Sequence, residues 1–192
     1  MTLSNALPSI GKLAVVPALE RPDLLAPPVA AALTELAGML PAAAVGVAEI
    51  DPALADTAAF CAEYSVELTI SANCVVVAGR RDGQSRMAAC MVLATTRADV
   101  NGLVKRELDV RKASFAPMDT AVELTGMEYG GITPVGLPAD WPVFVDKAVA
   151  AEPWVVIGSG VRRSKLILPG QSLGRLPSAA VLADLGRPVP AG

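Results

Sequence analysis

Residues 129–136 read Tyr129-Gly130-Gly131-Ile132-Thr133-Pro134-Val135-Gly136, and paired glycines beside a hydroxyl, a proline and a further glycine can build a backbone-lined pocket. Successive N–H groups in such a loop can face a carbonyl or phosphate oxygen, which suits the segment to binding an anion or stabilising an oxyanion. A tight turn between a helix and a strand fits the same residues. The chain contains no histidine, which removes Ser-His and Cys-His activation of a nucleophile and every His-dependent zinc site. Any catalysis must use carboxylates, lysines, backbone donors or groups on the substrate itself.

Cys61, Cys74 and Cys90 are odd in number, lack CxxC spacing and sit among apolar neighbours, so free, buried thiols are expected. Carboxylates such as Glu123, Glu128 and Asp146 are scattered and do not establish a metal site. There is no dinucleotide fingerprint or phosphate-loop signature, so no cofactor is assigned. The net charge of -3 is unevenly distributed, because residues 80–112 hold eight bases and four acids. That segment, through Arg80, Arg81, Arg86, Arg97, Lys105, Arg106, Arg111 and Lys112, can meet phosphates or form a solvated face. Aromatic residues are only 4% of the chain, which argues against general single-strand binding by stacked bases, and DNA is not an expected partner.

The elements that must position these groups follow from pattern. A chain of 192 residues, 53% apolar, fits one domain with an aliphatic core. Charges, Pro and Gly interrupt every apolar run before it reaches spanning length, and Lys12 is the only early base, so neither a membrane span nor a secretory signal is expected. The expected location is cytoplasmic. Residues 1–28 read as a Pro-rich arm with one edge strand, 29–186 as the domain and 187–192 as a tail. Helices are expected over 29–40, over 52–64 behind an Asp51 cap, from Asp99 to about Leu108, and over 118–125 up to Gly126. A last helix is expected from Ser178. Strands are expected at 45–50, in a hairpin of 74–78 and 86–95 about Asp82-Gly83, and at 113–115, 143–146, 154–157 and 165–168, with a tight turn at Gly158-Ser159-Gly160.

The succession of Asn73-Cys74-Val75-Val76-Val77, a second strand, a basic helix, Thr125-Gly126, the glycine loop, Val145-Asp146 and Gly158-Ser159-Gly160 resembles the YbaK/EbsC-type aminoacyl-tRNA deacylases, which include the editing domain of bacterial prolyl-tRNA synthetases. The resemblance implies a mixed α/β single domain with a mixed, strongly curved β-sheet flanked by helices. It implies ester hydrolysis of a small mischarged amino acid at the acceptor end of tRNA; an accessory subunit that docks on an aminoacyl-tRNA synthetase through the arm at residues 1–28 is a further alternative. Gly130 and Gly131 would supply backbone donors to the oxyanion, and Ser159 would orient water or ribose. Asn73, Lys112, Thr133, Pro134, Gly136, Asp146, Gly158 and Gly160 would line or shape the substrate site, Asp146 mainly through structural hydrogen bonds. A substrate hydroxyl or thiol would assist. One departure stands out: family members commonly begin the central strand with Lys-Thr-Leu, where this chain has Asn73-Cys74-Val75. Lys112, Arg111 or Lys165 are the alternative sources of that charge, although each alone reads as a surface cation. A binding protein using the same pocket without turnover is the alternative function.

Overall fold

The computed structural model describes residues 7–38, 40 and 44–189. Its centre is the hairpin of β3 (Ala72–Arg81) and β4 (Gln84–Leu93), in register from Ala72↔Leu93 to Arg81↔Gln84. Asp82 and Gly83 both adopt positive φ, 50° and 81°, the two-residue geometry that matches strand twist. The expected hairpin is present, its first strand longer than expected and its second shifted two residues toward the turn. Around it a five-stranded sheet runs in the order β10-β7-β4-β3-β6, with β6 at Lys112–Phe115, β7 at Val143–Asp146 and β10 at Ala179–Leu182. Here β7 is parallel to both β4 and β10, so this sheet is mixed as expected.

The remaining strands do not join it. A four-stranded antiparallel sheet runs β1-β2-β9-β8 (Val16–Pro17, Gly46–Glu49, Ser164–Leu168, Val155–Gly158), and β5 (Thr96–Ala98) pairs with β11 (Gly186–Pro188). One expected sheet is therefore three. Among the described residues one backbone bridge, Ser71↔Val156, joins the two larger sheets, which part beyond it. Side chains from both sheets and from the helix over residues 27–35 close the space between them: Val29, Leu33, Val47, Met91, Val145, Leu166 and Leu168 belong to one buried aliphatic cluster that also takes Leu24, Leu25 and Ala26 from the arm. Phe60, Val156 and Ile167 pack in a second cluster under α2 (Thr57–Tyr64), and Val77, Cys90, Val104 and Phe144 in a third.

Helix α1 (Pro27–Glu35) begins on two prolines, and α4 (Met118–Thr125) ends at Gly126 in the left-handed conformation, φ 66°. Asp99 caps the turn Val100–Val104 through the N–H groups of Gly102 and Leu103, and α3 (Lys105–Glu107) continues it. The expected helix over 52–64 is broken. Asp51 does cap a short turn, Pro52–Leu54, but Asp56 is extended and α2 starts only at Thr57. A second correction concerns the C-terminal part. No helix begins at Ser178; α5 (Lys147–Ala151) and α6 (Gly170–Leu173) precede it, and residues 179–182 form β10. Pairing with β7 overrides the helix preference of Ala and Leu there. Residues 186–188, where the expected domain gives way to the expected tail, are strand β11, while 190–192 lie outside the described residues. Among the described residues no helix is long and apolar enough to cross a membrane.

Candidate functional site

Where the sheets part, a cavity of about 610 Å³ opens between β3, β8, the start of α2 and the glycine loop. Its polar wall is Asp56, Thr57, Ser71, Asn73 and Lys165; its apolar wall includes Ala72, Val76, Ile132 and Val156. Phe115, Met118 and Tyr129 also line it while remaining 66%, 50% and 58% exposed, so they form an apolar rim at the mouth. Exposed aromatic and thioether surface beside a polar cavity suits a flat π-face such as a nucleobase.

Asn73 faces this cavity, and its carbonyl oxygen accepts a hydrogen bond from the Thr57 hydroxyl at 2.8 Å. Its amide nitrogen is left as a donor. Cys74 also reaches the lining, yet packs against the main core, and burial pushes its thiol well above the ordinary cysteine range. Cys90, behind it, is pushed up to about 12 by burial. Cys61 is raised by burial as well, with Ser71 and Lys165 opposing. All three cysteines are free and protonated near neutral pH, so none is a ready nucleophile.

The two glycine segments pack on each other. Gly130 lines the cavity with φ 82°, which a glycine adopts without strain. Gly131 does not line it: its N–H donates to the Glu128 carbonyl at 2.9 Å, and its own carbonyl accepts from Gly160 N–H at 2.7 Å. A Cβ on Gly158, a lining residue, would run into the carbonyl oxygens of Gly131 and Ile132. Arg162 ties the assembly down, donating to the carbonyls of Tyr129 and Pro52 at 3.2 Å each, while its N–H meets Glu128.

Several expected site residues sit elsewhere. Ser159 is fully buried, and its hydroxyl is engaged with Ser164 Oγ at 2.7 Å and with the carbonyls of Ser164 and Val161. It fixes the turn and does not face the cavity. Gly160 packs against Ala26 and Val29 of the arm and α1. Thr133 is fully buried, and among the described residues its hydroxyl has no hydrogen-bond partner. Pro134 and Gly136 line a separate, smaller cavity of about 350 Å³ beside α1. Asp146 caps α5 through Ala148 N–H and accepts from Gly186 N–H at 2.9 Å, the structural role expected of it. Lys112 is exposed on the edge strand β6, paired with Arg80, and does not reach the cavity.

The cation that does reach it is Lys165. Flanked in register by Ala48 and Gly158, whose small size clears the sheet surface, its side chain runs to the start of α2 and is only 8% exposed. Nζ donates to the Ala55 carbonyl at 2.9 Å and lies 5.0 Å from the centroid of the Phe60 ring. That bond falls at the break in the helix, beside the extended Asp56. Burial lowers the Lys165 pKa, partly opposed by Cys61 and Asp56 and assisted by Arg162. Reading Lys165 as a surface cation is thus corrected. The signal was its place in Ser164-Lys165-Leu166-Ile167-Leu168, where one charge interrupts a short apolar strand. Asp56, Thr57, Ser71, Phe115 and Met118 had no such signal, whereas Tyr129 heads the glycine segment. Among the described residues no group of three or more His, Cys, Asp or Glu is placed to hold a metal ion.

No curated protein matches this sequence. The fold is similar to that of a candidate trans-editing enzyme for prolyl-tRNA synthetase, with TM-score 0.68 and 21% identity over 85% of this chain and 99% of that one. A structure from epitope backbone grafting on scaffold proteins gives TM-score 0.67 at 22% identity, covering 86% of this chain and 100% of that one. A hypothetical protein gives TM-score 0.64 at 23% identity, covering 73% and 90%. These likenesses carry the fold. The sequence itself matches the aminoacyl-tRNA editing domain over residues 51–176, which takes in the start of α2, the central hairpin, both glycine segments and Lys165, and the chain belongs to the aminoacyl-tRNA editing domain family.

Proposed function

We infer that this protein is an aminoacyl-tRNA deacylase acting in trans, which hydrolyses the ester of a small mischarged amino acid at the 3′ end of tRNA. The observation that carries the reading is the 610 Å³ cavity, whose walls join small apolar residues to uncommitted donors beneath an exposed apolar rim. The terminal adenine would stack on Phe115, Met118 and Tyr129, leaving the acyl group in the cavity. Water adds to the ester carbonyl carbon, the oxyanion is held by donors, and the bond to the ribose oxygen breaks as that oxygen takes up the proton that water loses. With no histidine in the chain and Asp56 the only carboxylate in the lining among the described residues, substrate groups relay that proton.

Similarity in fold to a candidate trans-editing enzyme for prolyl-tRNA synthetase supports tRNA for proline as the first carrier to try. A second reading, a protein that binds acylated adenosine without turnover, is favoured by the neutral amide of Asn73 at the head of β3. Release of amino acid from a panel of mischarged tRNAs, including Ala and Cys on tRNA for proline, separates the two. Turnover above the catalyst-free rate is expected. Bound but intact acyl-tRNA across the panel would replace the deacylase with the binder.

A further inference from the structure

The donors around the cavity do not contribute equally. Gly131 N–H and the Ser159 hydroxyl are engaged inside the protein, and the Thr57 hydroxyl donates to Asn73. Lys165 differs. Its ammonium carries three protons, of which the Ala55 carbonyl takes one. Among the described residues no carboxylate lies within ion-pair distance of it. A purely structural tether for Ala55 would need one proton and no charge, and an apolar side chain in β9 would avoid desolvating an ammonium altogether. Asn73 and Lys165 grip the same short segment from two sides, Asn73 through Thr57 and Lys165 through Ala55, so the charge lies on the wall that Asn73 helps to form.

We propose that Lys165 is a catalytic residue whose ammonium donates a hydrogen bond to the acyl carbonyl oxygen and holds the negative charge that develops there as water adds. The inference rests on the deacylase reading. Lys165 stays protonated throughout: the new bond joins water oxygen to the carbonyl carbon, the π electrons move to the oxygen facing Nζ, and the pair returns as the ribose oxygen leaves. A charge-assisted donor on a buried side chain is the stronger kind, and the engaged Gly131 leaves that role open. The groups that tune it are Asp56 and Cys61, from the start and body of α2, and Arg162, from the turn before β9.

Lys165→Met, which keeps the stem without the charge, is expected to lower kcat about 100- to 1,000-fold, the loss seen when one oxyanion donor is removed, with KM changed less than threefold. Lys165→Arg should recover part of that loss. A folded Lys165→Met with kcat within threefold of wild type overturns the proposal. The parallel measurement is binding of a phosphonate analogue of acyl-adenosine, which presents a charged tetrahedral oxygen, against the neutral amide analogue. Lys165→Met should weaken the phosphonate about 100-fold and the amide less than threefold; equal losses, or none, overturn it. An inactive wild type whose phosphonate binding still depends on Lys165 would remove the deacylase reading and keep the donor. If Lys165→Met does not fold, wild-type phosphonate affinity must fall with rising pH before the ordinary lysine range, and a flat profile overturns the proposal.

Discussion

Gly131→Ala tests whether the glycine loop acts through its N–H groups or through its closeness to the opposite turn. A Cβ at 131 would lie 2.7 Å from the carbonyl carbon and oxygen of Val161 and 2.9 Å from its nitrogen. Comfortable carbon contacts start at about 3.5 Å, so the two backbones must separate by roughly 0.8 Å. No side chain is available to yield. Separation strains the Gly131 N–H bond to Glu128 and the Gly160 N–H bond to Gly131. Overpacking costs about 1–3 kcal/mol and each of the two impaired buried hydrogen bonds about 1 kcal/mol, so the loss comes to about 3–5 kcal/mol. For a domain of this length that is a fall in Tm of about 6–20 °C. At Gly130 the nearest obstacle is the Arg162 guanidinium, which can swing aside, and the positive φ costs an alanine about 1–2 kcal/mol. Gly130, however, faces the cavity. Thermal denaturation followed by circular dichroism, with deacylation measured where both variants are folded, should show Gly131→Ala losing the more stability and Gly130→Ala losing more turnover than its Tm accounts for. A Gly131→Ala protein with Tm within about 1 °C of wild type and no turnover would refute the packing argument and restore Gly131 as an oxyanion donor.

Ser159→Ala removes a hydroxyl that faces Ser164 and not the cavity, so unfolding should become easier by about 1–3 kcal/mol while turnover per folded molecule is retained; urea titration beside an activity assay checks both. Because burial lowers the Lys165 pKa, the unfolded chain binds more protons than the folded one between that depressed value and the ordinary lysine value of 10.5, and stability should rise with pH across that window. Lys165→Met should flatten the rise in denaturation midpoint and be at least as stable as wild type at neutral pH; a wild-type curve no steeper than the variant's contradicts the buried cation. Asn73→Lys should bring no gain in kcat, since the cavity already holds a cation and a second depresses the first. A tenfold gain in single-turnover rate would mean that Lys165 does not serve the acyl oxygen.

What the sequence makes legible is local chemistry. Asp82-Gly83 dictates a two-residue turn, Gly126 stops a helix, and Asp51 and Asp99 cap their turns, because each depends on dihedrals or bonds within a few residues. The glycine segments 130–131 and 158–160 are legible as close approaches, but not what they approach: spacing alone does not distinguish an N–H facing a ligand from one facing Glu128. Residues 179–182 have a composition that suits a helix and become a strand because β7 offers an edge, which is information held some forty residues away. Lys165 shows the same limit at the site. Its neighbours in sequence mark a buried strand, yet its partners Ala55 and Phe60 lie more than a hundred residues back.

Three features that each cost stability meet around residues 55–57. The helix capped by Asp51 breaks there, although an unbroken one would satisfy more backbone groups. The two large sheets part beyond the bridge at Ser71, leaving space that further side chains would have filled. A lysine is held there with one hydrogen bond and no carboxylate within ion-pair distance among the described residues. Each alone has a structural explanation: a loop constraint, a twist mismatch, a chance polar core residue. Together they are linked by contact, since the break in the helix exposes the carbonyl that steers the lysine, and the parting of the sheets makes the cavity that its remaining protons face. A chain that only had to fold would gain stability by undoing any one of them. That all three persist around one cavity, in a protein without histidine and with its thiols held neutral, fits a site whose chemistry rests on a buried cation and fixed backbone donors.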